Sequence, residues 1–430
     1  MTPSAAQPKI HIERMLYRST VSISGESAAS YALVKLIPAG GGNQQASLPL
    51  NLALVLDVSG SMYEEDGTGR SRLARIQEAA LSAVDKLKPS DHLAIVAFAH
   101  NSQVVLPSTP LSQKETIRDV IQRIDRFDVD PGGTAMDQGI ALGLAEVQKH
   151  HGAGCLSQLL VLTDGETSGE QLCRDLARQA AAQKIRFDVI GVGLEWNQSL
   201  IKDLAKLSEG DWGYIDVNDA SAAERVFAER FSSLASAGFL DVEMKVRAMK
   251  DIKIKRIRQV VPDIKDLNAT EPEERLFLAK LGTLERDNST RYIIDLSLPK
   301  RPDGKFVIAQ LEVTWDTGTG QRESTGMVPL EVTYGPQQGY VNAEVAKHID
   351  EVQIFEANKT LQQAIERNDV EAAKQAAQII EKKGEVMGSR AAKKTMLARQ
   401  VLQELNAGGR VSKKTQLAVD DVARMVEENG

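Results

Sequence analysis

Hydrophobic positions follow different spacings in different parts of this chain of 430 residues. Between residues 51 and 238, short apolar runs alternate with segments whose apolar residues recur every three or four positions. The runs are typical of buried strands and the segments of amphipathic helices. The apolar runs cover residues 52–56, 93–98, 158–162, 187–192 and 214–217. This alternation predicts an α/β domain with a doubly wound, mostly parallel sheet that is covered on both faces.

Three of the intervening segments place their apolar residues on one helix face. The first carries Leu73, Ile76, Ala80, Val84 and Leu87. The second carries Ile140, Leu144 and Val147, and the third carries Leu172, Leu176 and Ala180. We expect each of these faces to pack against the sheet.

On both sides of this domain, apolar and polar residues alternate in short stretches without long helical patterns. Residues 242–246 alternate strictly, and residues 316–320 resemble a hairpin turn. The strands of residues 1–50 have no partners within that segment, and an isolated strand pair is marginal in water. We therefore expect residues 1–50 and 239–335 to form one antiparallel β-sandwich, with the α/β domain of residues 51–238 inserted between them.

The last segment, residues 336–430, changes to helical spacing with mixed basic and acidic residues. Glycines at 384, 408 and 409 predict breaks between several helices. Its alanine-rich contact positions favour close helix packing, so this segment is predicted to be a C-terminal helical region.

Composition narrows the class of protein. A hydrophobic fraction of 42% with 26% charged residues indicates a globular chain. A net charge of −7 argues against nucleic acid as the main partner, because phosphate binding needs a basic surface. Cys155 and Cys173 are too few for a disulfide framework and indicate a reducing compartment. With no apolar run of membrane-spanning length, the expected location is cytoplasmic.

Hard oxygen ligands follow the first apolar run of the α/β domain. Asp57, Ser59 and Ser61 lie in the sequence Asp-Val-Ser-Gly-Ser, between a predicted buried strand and a predicted helix. Carboxylate and hydroxyl oxygens suit Mg²⁺ or another hard divalent ion and suit zinc poorly. A serine and aspartate turn that only caps the helix is the alternative for these residues taken alone.

Two further loops carry the same kind of ligand. Thr134 follows two glycines before a predicted helix, and Asp164 comes directly after the apolar run 158–162. Loops at the carboxyl ends of parallel strands open on the same side of a sheet, where ligands bind. We therefore expect Asp57, Ser59, Ser61, Thr134 and Asp164 to converge on one ion.

At these three segments the chain resembles the von Willebrand factor A domain, in a form similar to its bacterial members. The resemblance covers roughly residues 51–238 and includes the complete metal-ion-dependent adhesion site (MIDAS) pattern of Asp-x-Ser-x-Ser, then Thr, then Asp. It implies that Asp57, Ser59, Ser61, Thr134 and Asp164 bind Mg²⁺, with Mn²⁺ or Ca²⁺ as alternatives. It also implies protein–protein interaction, in which an Asp or Glu of an unidentified partner completes the coordination of the ion.

Acidic residues beside this site have two interpretations. Glu64, Glu65 and Asp66 follow the first ligand loop, and Glu166 follows the third. The simpler interpretation is a solvated loop, because most runs of charge are solvated. The alternative is a negative rim that attracts a ligand with basic residues around its carboxylate.

Enzyme signatures are missing from the sequence. Neither Ser59 nor Ser61 lies in a Gly-x-Ser-x-Gly elbow, and no phosphate-binding or dinucleotide fingerprint occurs. His150 and His151 have no zinc spacing and are assigned to a helix C-terminus, where the helix dipole favours them. We expect a binding module and not an enzyme. The alternative is a substrate-delivery or regulatory accessory subunit of a separate AAA-type ATPase.

Overall fold

The computed structural model describes residues 9–23, 28–39, 48–65, 69–127, 129–130, 132–152, 154–165, 167–316 and 321–426. The chain divides into two compact units. One unit comprises Ala46–Gly238 with Gly318–Gly320, and the other comprises Met1–Gln45, Phe239–Thr317 and Gln321–Gly430. The predicted hairpin turn at residues 316–320 lies largely outside the described residues.

The strands are short and are distributed along both units. In chain order they are Lys9–Leu16 (β1), Thr20–Ser22 (β2), Ala28–Ala39 (β3), Leu50–Asp57 (β4), His92–Phe98 (β5), Ser102–Pro110 (β6), Leu156–Thr163 (β7), Arg186–Val192 (β8), Trp212–Ile215 (β9), Ala237–Ala248 (β10), Lys253–Val261 (β11), Lys265–Asp266 (β12), Thr270–Glu273 (β13), Leu276–Glu285 (β14), Thr290–Leu298 (β15), Gly304–Asp316 (β16), Arg322–Ser324 (β17) and Val328–Gly335 (β18).

The α-helices separate the strands of the first unit and close the chain in the second. They are Arg72–Val84 (α1), Lys114–Gln122 (α2), Met136–Gln148 (α3), Glu170–Ala182 (α4), Gln198–Leu207 (α5), Ala222–Ser236 (α6), Ala343–Glu366 (α7), Val370–Met387 (α8), Ala392–Gly408 (α9) and Lys413–Arg424 (α10). Within the described residues, none of these helices combines the length and the apolar character needed to cross a membrane.

A sheet of order β6-β5-β4-β7-β8-β9 forms the centre of the Ala46–Gly238 unit. Its strands pair in parallel except for β6, which is antiparallel to β5 at one edge. Every residue of β4 and of β7 is buried, so both faces of these central strands are covered. The α/β fold with a mostly parallel sheet therefore follows from the alternating pattern, whereas β6 was not predicted.

The third predicted helix face was partly wrong. The buried residues of α4 are Cys173, Ala177 and Ala180, whereas Leu172 is 52% exposed. The small residues face inward because the helix packs closely, and the larger leucine lies on the solvent side.

The second unit contains two further sheets. One has the order β1-β3-β15-β11-β12 and is antiparallel throughout. The other has the order β13-β14-β10-β16-β18-β2, with β17 paired to β16. The N-terminal strands join both sheets, since β3 pairs with β15 and β2 pairs with β18. Two expectations were wrong: β1 and β3 pair with each other within the N-terminal segment, and the pairing of β2 with β18 is parallel.

One hydrophobic cluster unites side chains of these two sheets. Val34 of β3 and Ile294 of β15 belong to it, as do Met244 of β10 and Val313 of β16. Each of these four residues is fully buried. The N-terminal strands thus contribute to a core whose other residues come from more than 200 positions later in the chain.

Helix α7 covers the opposite face of the first of these sheets. Its Val345, Ile349 and Val352 form a cluster with Leu33 and Ile293 of the sheet. A buried ion-pair network reinforces this contact. The Arg258 guanidinium, 4% exposed, binds the carboxylates of Asp266 at 2.9 Å, Asp295 at 2.8 Å and Glu356 of α7 at 3.1 Å. Helices α7–α10 share a further apolar cluster rich in alanine, as the C-terminal helical region requires. The break predicted at Gly384 is wrong, because Gly384 is buried inside α8, which continues to Met387.

Candidate metal site

The first ligand loop begins where β4 ends. Asp57 is fully buried, and its Oδ1 accepts the Ser59 N–H at 2.9 Å. A short 3-10 turn, Gly60–Tyr63, follows and directs Met62 into the core. This turn brings the Ser59 and Ser61 hydroxyls within 3.2 Å of each other. The loop therefore presents one carboxylate and two neighbouring hydroxyls.

The third loop meets the first through a side-chain hydrogen bond. Ser61 Oγ donates to Asp164 Oδ1 at 2.8 Å, although 103 residues separate them in sequence. Thr163, the last residue of β7, donates its hydroxyl to Asp57 Oδ2 at 2.7 Å. Adjacent parallel pairing of β4 and β7 makes these contacts possible, because both loops leave the same edge of the sheet.

Thr134 lies in the second loop, against the third. Its carbonyl oxygen accepts the Thr167 hydroxyl at 2.8 Å, and its Oγ1 lies 3.5 Å from the position that a Cβ on Gly165 would take. Helix α3 carries this loop and approaches β4 closely. A Cβ on Gly143 would lie 2.7 Å from Val55 Cγ2, so a glycine is needed at this crossing.

Burial dominates the electrostatics of Asp57. Removal from water raises its pKa from 3.8 to about 6, while hydrogen bonds from Ser59 and Thr163 oppose the rise. The negative charge of Asp164 adds to it. A carboxylate of this kind gains from a nearby cation, because a cation stabilises its charged form.

A cation of the protein itself reaches the site. Arg72, the first residue of α1, places Nη1 at 2.7 Å from Asp164 Oδ2 and Nη2 at 2.9 Å from Glu64 Oε2. The Asp164 side chain is fully buried, and that of Arg72 is 14% exposed. Sequence reasoning missed Arg72, although its position carries a signal, because a basic residue in the first turn of a helix opposes the helix dipole.

The predicted rim is only partly described. Glu64 is 62% exposed and bonded to Arg72, and Glu65 is exposed and joined to Ser71 by a β-bridge. Asp66 and Glu166 lie outside the described residues. Glu64 therefore has a partner within the site and is not simply a solvated charge.

The donor set fits a hard divalent ion. Asp57, Ser59, Ser61 and Asp164 are linked by hydrogen bonds, and Thr134 lies against the loop that carries Asp164. Across the residues that the structure describes, no group of three or more His, Cys, Asp and Glu side chains is arranged to hold a metal. A site of two carboxylates and three hydroxyls has a different composition from such a group, and its oxygens are ligands that Mg²⁺ accepts.

Histidines gather at the opposite ends of the strands. The rings of His92, the first residue of β5, and His150 stack with centroids 4.2 Å apart. His151 Nδ1 lies 2.9 Å from Ser157 Oγ, and Cys155 Sγ contacts the same hydroxyl at 3.4 Å. Burial and the proximity of His150 lower the pKa of His92. Helix α3 ends at Gln148 with Lys149 as its C-cap, so His150 and His151 directly follow the helix end, and His150 also stacks on His92.

Comparisons with known proteins relate part of the chain to a known domain family. Residues 51–229 match the von Willebrand factor type A domain family. The chain is 29% identical over 298 residues to the uncharacterised protein sll0103 of Synechocystis, a match that covers 68% of each chain. It is 23% identical over 303 residues to the uncharacterised protein YfbK of Escherichia coli, covering 66% of this chain and 51% of that one.

Two solved structures resemble nearly the whole chain in fold. A von Willebrand factor type A protein from Catenulispora acidiphila aligns with a TM-score of 0.76 at 17% identity, over 100% of this chain and 99% of that one. The ArnB paralog VWA2 from Sulfolobus acidocaldarius aligns with a TM-score of 0.56 at 14% identity, over 96% and 98%. Residues 51–229 of this chain thus match the von Willebrand factor type A (VWA) domain family, and a C-terminal helical region follows in the same chain.

Proposed function

We propose that the VWA domain is a metal-dependent protein-binding module. Asp57, Ser59, Ser61, Thr134 and Asp164 would hold one divalent ion, with Mg²⁺ as the first candidate and Mn²⁺ or Ca²⁺ as alternatives. The observation that carries the proposal is the 2.8 Å contact between Ser61 Oγ and Asp164 Oδ1, which joins two ligand loops at one edge of the sheet.

The ligand types support binding of a partner's carboxylate. Serine and threonine hydroxyls are neutral, so Asp57 and Asp164 would bring the negative charge of the ligand set. Where these carboxylates bind partly through water, the ion keeps much of its positive charge. A bound ion would supply an electrophilic centre with an open position for an outside oxygen ligand. An Asp or Glu on the surface of a partner protein matches that position in charge and in hardness.

We propose binding and not turnover at this site. The Ser61 hydroxyl donates to a carboxylate and lies beside a second hydroxyl. A nucleophilic serine needs a general base, such as an imidazole, within hydrogen-bond distance. The hydrogen bonds of Ser61 therefore favour a ligand role for this residue.

Glu64 and Glu65 extend the proposal to the surroundings of the partner's acid. Both are exposed beside the first ligand loop. Charges at the edge of an interface mainly steer association. A partner with Lys or Arg next to its key Asp or Glu would therefore bind faster at low salt than one without them.

The sheets and the compartment complete the proposal. We propose that the two sheets with the shared cluster act as a composite β-sandwich into which the VWA domain is inserted.

Cys155 and Cys173 are free thiols, which supports a cytoplasmic location. An accessory role beside a separate AAA-type ATPase stays a prediction, and co-purification with such an ATPase would test it.

The experiment is a thermal melt of the full chain with Mg²⁺, with Mn²⁺ and with a chelator. An ion that binds the folded state stabilises it by mass action, so the melting temperature should rise with either ion. Asp57→Ala and Asp164→Ala should lose this rise. Asp85→Ala is the matched control, because Asp85 is an exposed carboxylate of the same domain that pairs with Arg118. Equal responses of the wild type and Asp57→Ala would refute the site.

A further inference from the structure

The charge balance of Asp164 in the structure depends on Arg72. Asp164 Oδ1 accepts the Ser61 hydroxyl, and Oδ2 accepts Arg72 Nη1 at 2.7 Å. Each oxygen of this buried carboxylate therefore accepts a hydrogen bond from another side chain of the protein. A buried carboxylate without a counter-charge would be strongly unfavourable, and the guanidinium supplies that charge.

Arg72 has a second anchor outside the ligand set. Its Nη2 binds Glu64 Oε2 at 2.9 Å, and its own backbone N–H donates to the Glu64 carbonyl oxygen at 3.2 Å. The Ser71 hydroxyl caps α1 by accepting the Ala74 N–H at 3.1 Å. These contacts fix the backbone of Arg72. Its long side chain bridges the buried carboxylate of Asp164 and the exposed carboxylate of Glu64.

Gly193 and Val217 lie beside the guanidinium. A Cβ on Gly193 would lie in ordinary van der Waals contact, 3.6 Å from Arg72 Cζ, 3.6 Å from Val217 Cγ1 and 3.7 Å from Arg72 Nε. A glycine at this position therefore leaves the volume of about one methyl group next to the guanidinium. Glu64, at 62% exposure, lies on the solvent side of the pair.

A divalent ion and this guanidinium compete for one carboxylate. Two positive charges a few ångströms apart repel each other strongly where water is scarce, and Asp164 is fully buried. Occupation of the ligand set by an ion would therefore weaken the bond between Arg72 and Asp164. Glu64 provides the anion to which the displaced guanidinium stays bound.

We propose that Arg72 is an internal counter-cation that lowers the affinity of the site for its divalent ion and passes from Asp164 towards Glu64 when the ion binds. This inference rests on the proposed metal site and adds a positioning residue that sets its affinity. Arg72 and the ion would thus alternate as the charge that neutralises Asp164.

The test is the affinity of the full chain for Mn²⁺, measured by titration calorimetry and by the electron paramagnetic resonance signal of free Mn²⁺. Arg72→Gln removes the competing charge and should bind Mn²⁺ roughly tenfold more tightly than the wild type. Arg72→Lys keeps a positive charge and should stay close to the wild type. Arg118→Gln is the matched control, since Arg118 pairs with Asp85 elsewhere on the same domain.

Replacement of Glu64 tests the proposal by an expected change in Mn²⁺ affinity opposite to that of Arg72→Gln. Glu64→Gln removes the outer anchor and should weaken Mn²⁺ binding about two- to fivefold, the size of an exposed charge effect. If this effect acts through Arg72, it should shrink when Glu64→Gln is combined with Arg72→Gln, as a double-mutant cycle would reveal. Additive effects would contradict the transfer of the guanidinium to Glu64.

The outcomes separate this inference from the proposed function. Absence of Mn²⁺ binding in the wild type and in Arg72→Gln would overturn both. Binding of equal strength in these two proteins, or weaker binding in Arg72→Gln, would overturn the counter-cation alone and leave the metal site in place. Circular dichroism of each variant without metal checks the fold. If Arg72→Gln does not fold, Glu64→Gln carries the test, and Mn²⁺ binding as strong as that of the wild type would then overturn the counter-cation.

Discussion

At the scale of single residues, buried charge determines how the candidate site behaves. Asp57 and Asp164 are two carboxylates among hydroxyl groups, and Arg72 contacts Asp164. Asp57 accepts hydrogen bonds from two neutral groups, the Ser59 N–H and the Thr163 hydroxyl. Burial, with a smaller contribution from the negative charge of Asp164, raises its pKa to about 6.

Asp57→Asn should stabilise the metal-free protein at neutral pH. The pKa of the Asp57 carboxyl is higher in the folded protein than in the unfolded chain, so the folded state binds this proton more tightly. The stability that the bound proton contributes is lost as the pH rises from 3.8 to about 6. An amide avoids this loss, can accept from Ser59 N–H and can donate to Thr163 Oγ1. We expect a gain of about 1–3 kcal/mol in the free energy of unfolding, measured by urea denaturation in chelator.

A second buried aspartate gives the control for this change. Asp91 accepts the Leu50 N–H at 3.0 Å with Oδ1 and the Lys88 N–H at 2.8 Å with Oδ2. In Asp91→Asn, an amide NH₂ would face a backbone N–H, so this variant should lose stability. Destabilisation of similar size in both variants would show that Asp57 is held by its hydrogen bonds and not penalised by its charge.

At the scale of elements, close packing of α3 on the sheet positions the second ligand loop. Gly143 permits the approach of α3 to Val55 of β4, and Thr134 lies just before the same helix. At the other end of the sheet, the loop after α3 brings His150 onto His92. One helix therefore connects the candidate site with the histidine pair.

Gly143→Ala should move or strain α3. The added Cβ would lie 2.7 Å from Val55 Cγ2, and overpacking of this kind costs about 1–3 kcal/mol. Gly408→Ala is the control, because Gly408 ends α9 and nothing lies within 4 Å of its Cβ position. The control should be neutral or gain up to about 1 kcal/mol. Equal unfolding free energies of the two variants in urea would contradict the close approach.

His92 should make the protein less stable in acid. Its pKa is lowered in the folded state by burial and by His150, so the unfolded chain binds more protons as pH falls below the ordinary value of 6.5. Stability should therefore decline below about pH 6.5. His92→Phe keeps an aromatic ring on His150 and should reduce this decline. Melting curves of the two proteins between about pH 8 and about pH 5 test it, and parallel profiles would exclude His92 as the cause.

At the scale of the whole molecule, the chain leaves one unit, forms the VWA domain and returns. The N-terminal strands contribute Leu33, Val34 and Leu36, each fully buried, to clusters completed by residues after Phe239. The Ala46–Gly238 unit contains its own sheet and its own buried strands. The two units therefore differ in how much they depend on distant parts of the chain.

Deletion of residues 1–47 should expose apolar surface in the second unit and cause aggregation. The edge of β15 that pairs with β3 would lose its partner, and unpaired edges promote association. A fragment of residues 46–238 should fold alone, with a cooperative melt and the same response to Mg²⁺ as the full chain. Light scattering and thermal melts measure both results. A monomeric, cooperatively folded deletion variant would contradict the dependence on the N-terminal strands.

The sequence by itself determined the alternation of strands and helices and the order of the three ligand loops. Buried parallel strands are continuous apolar runs, and the first and third ligand loops follow such runs directly. The second ligand loop is marked by two glycines before a helix, so all three loops are visible in local sequence. Tertiary structure alone decided the partners: β6 at the sheet edge, β2 beside β18 and Arg72 beside Asp164. Pairing between distant segments leaves no periodic signal, because it depends on which surfaces meet after the elements have formed. The leucine at 172 shows the same limit, since helical spacing gives the period of a face but packing selects which residues it buries.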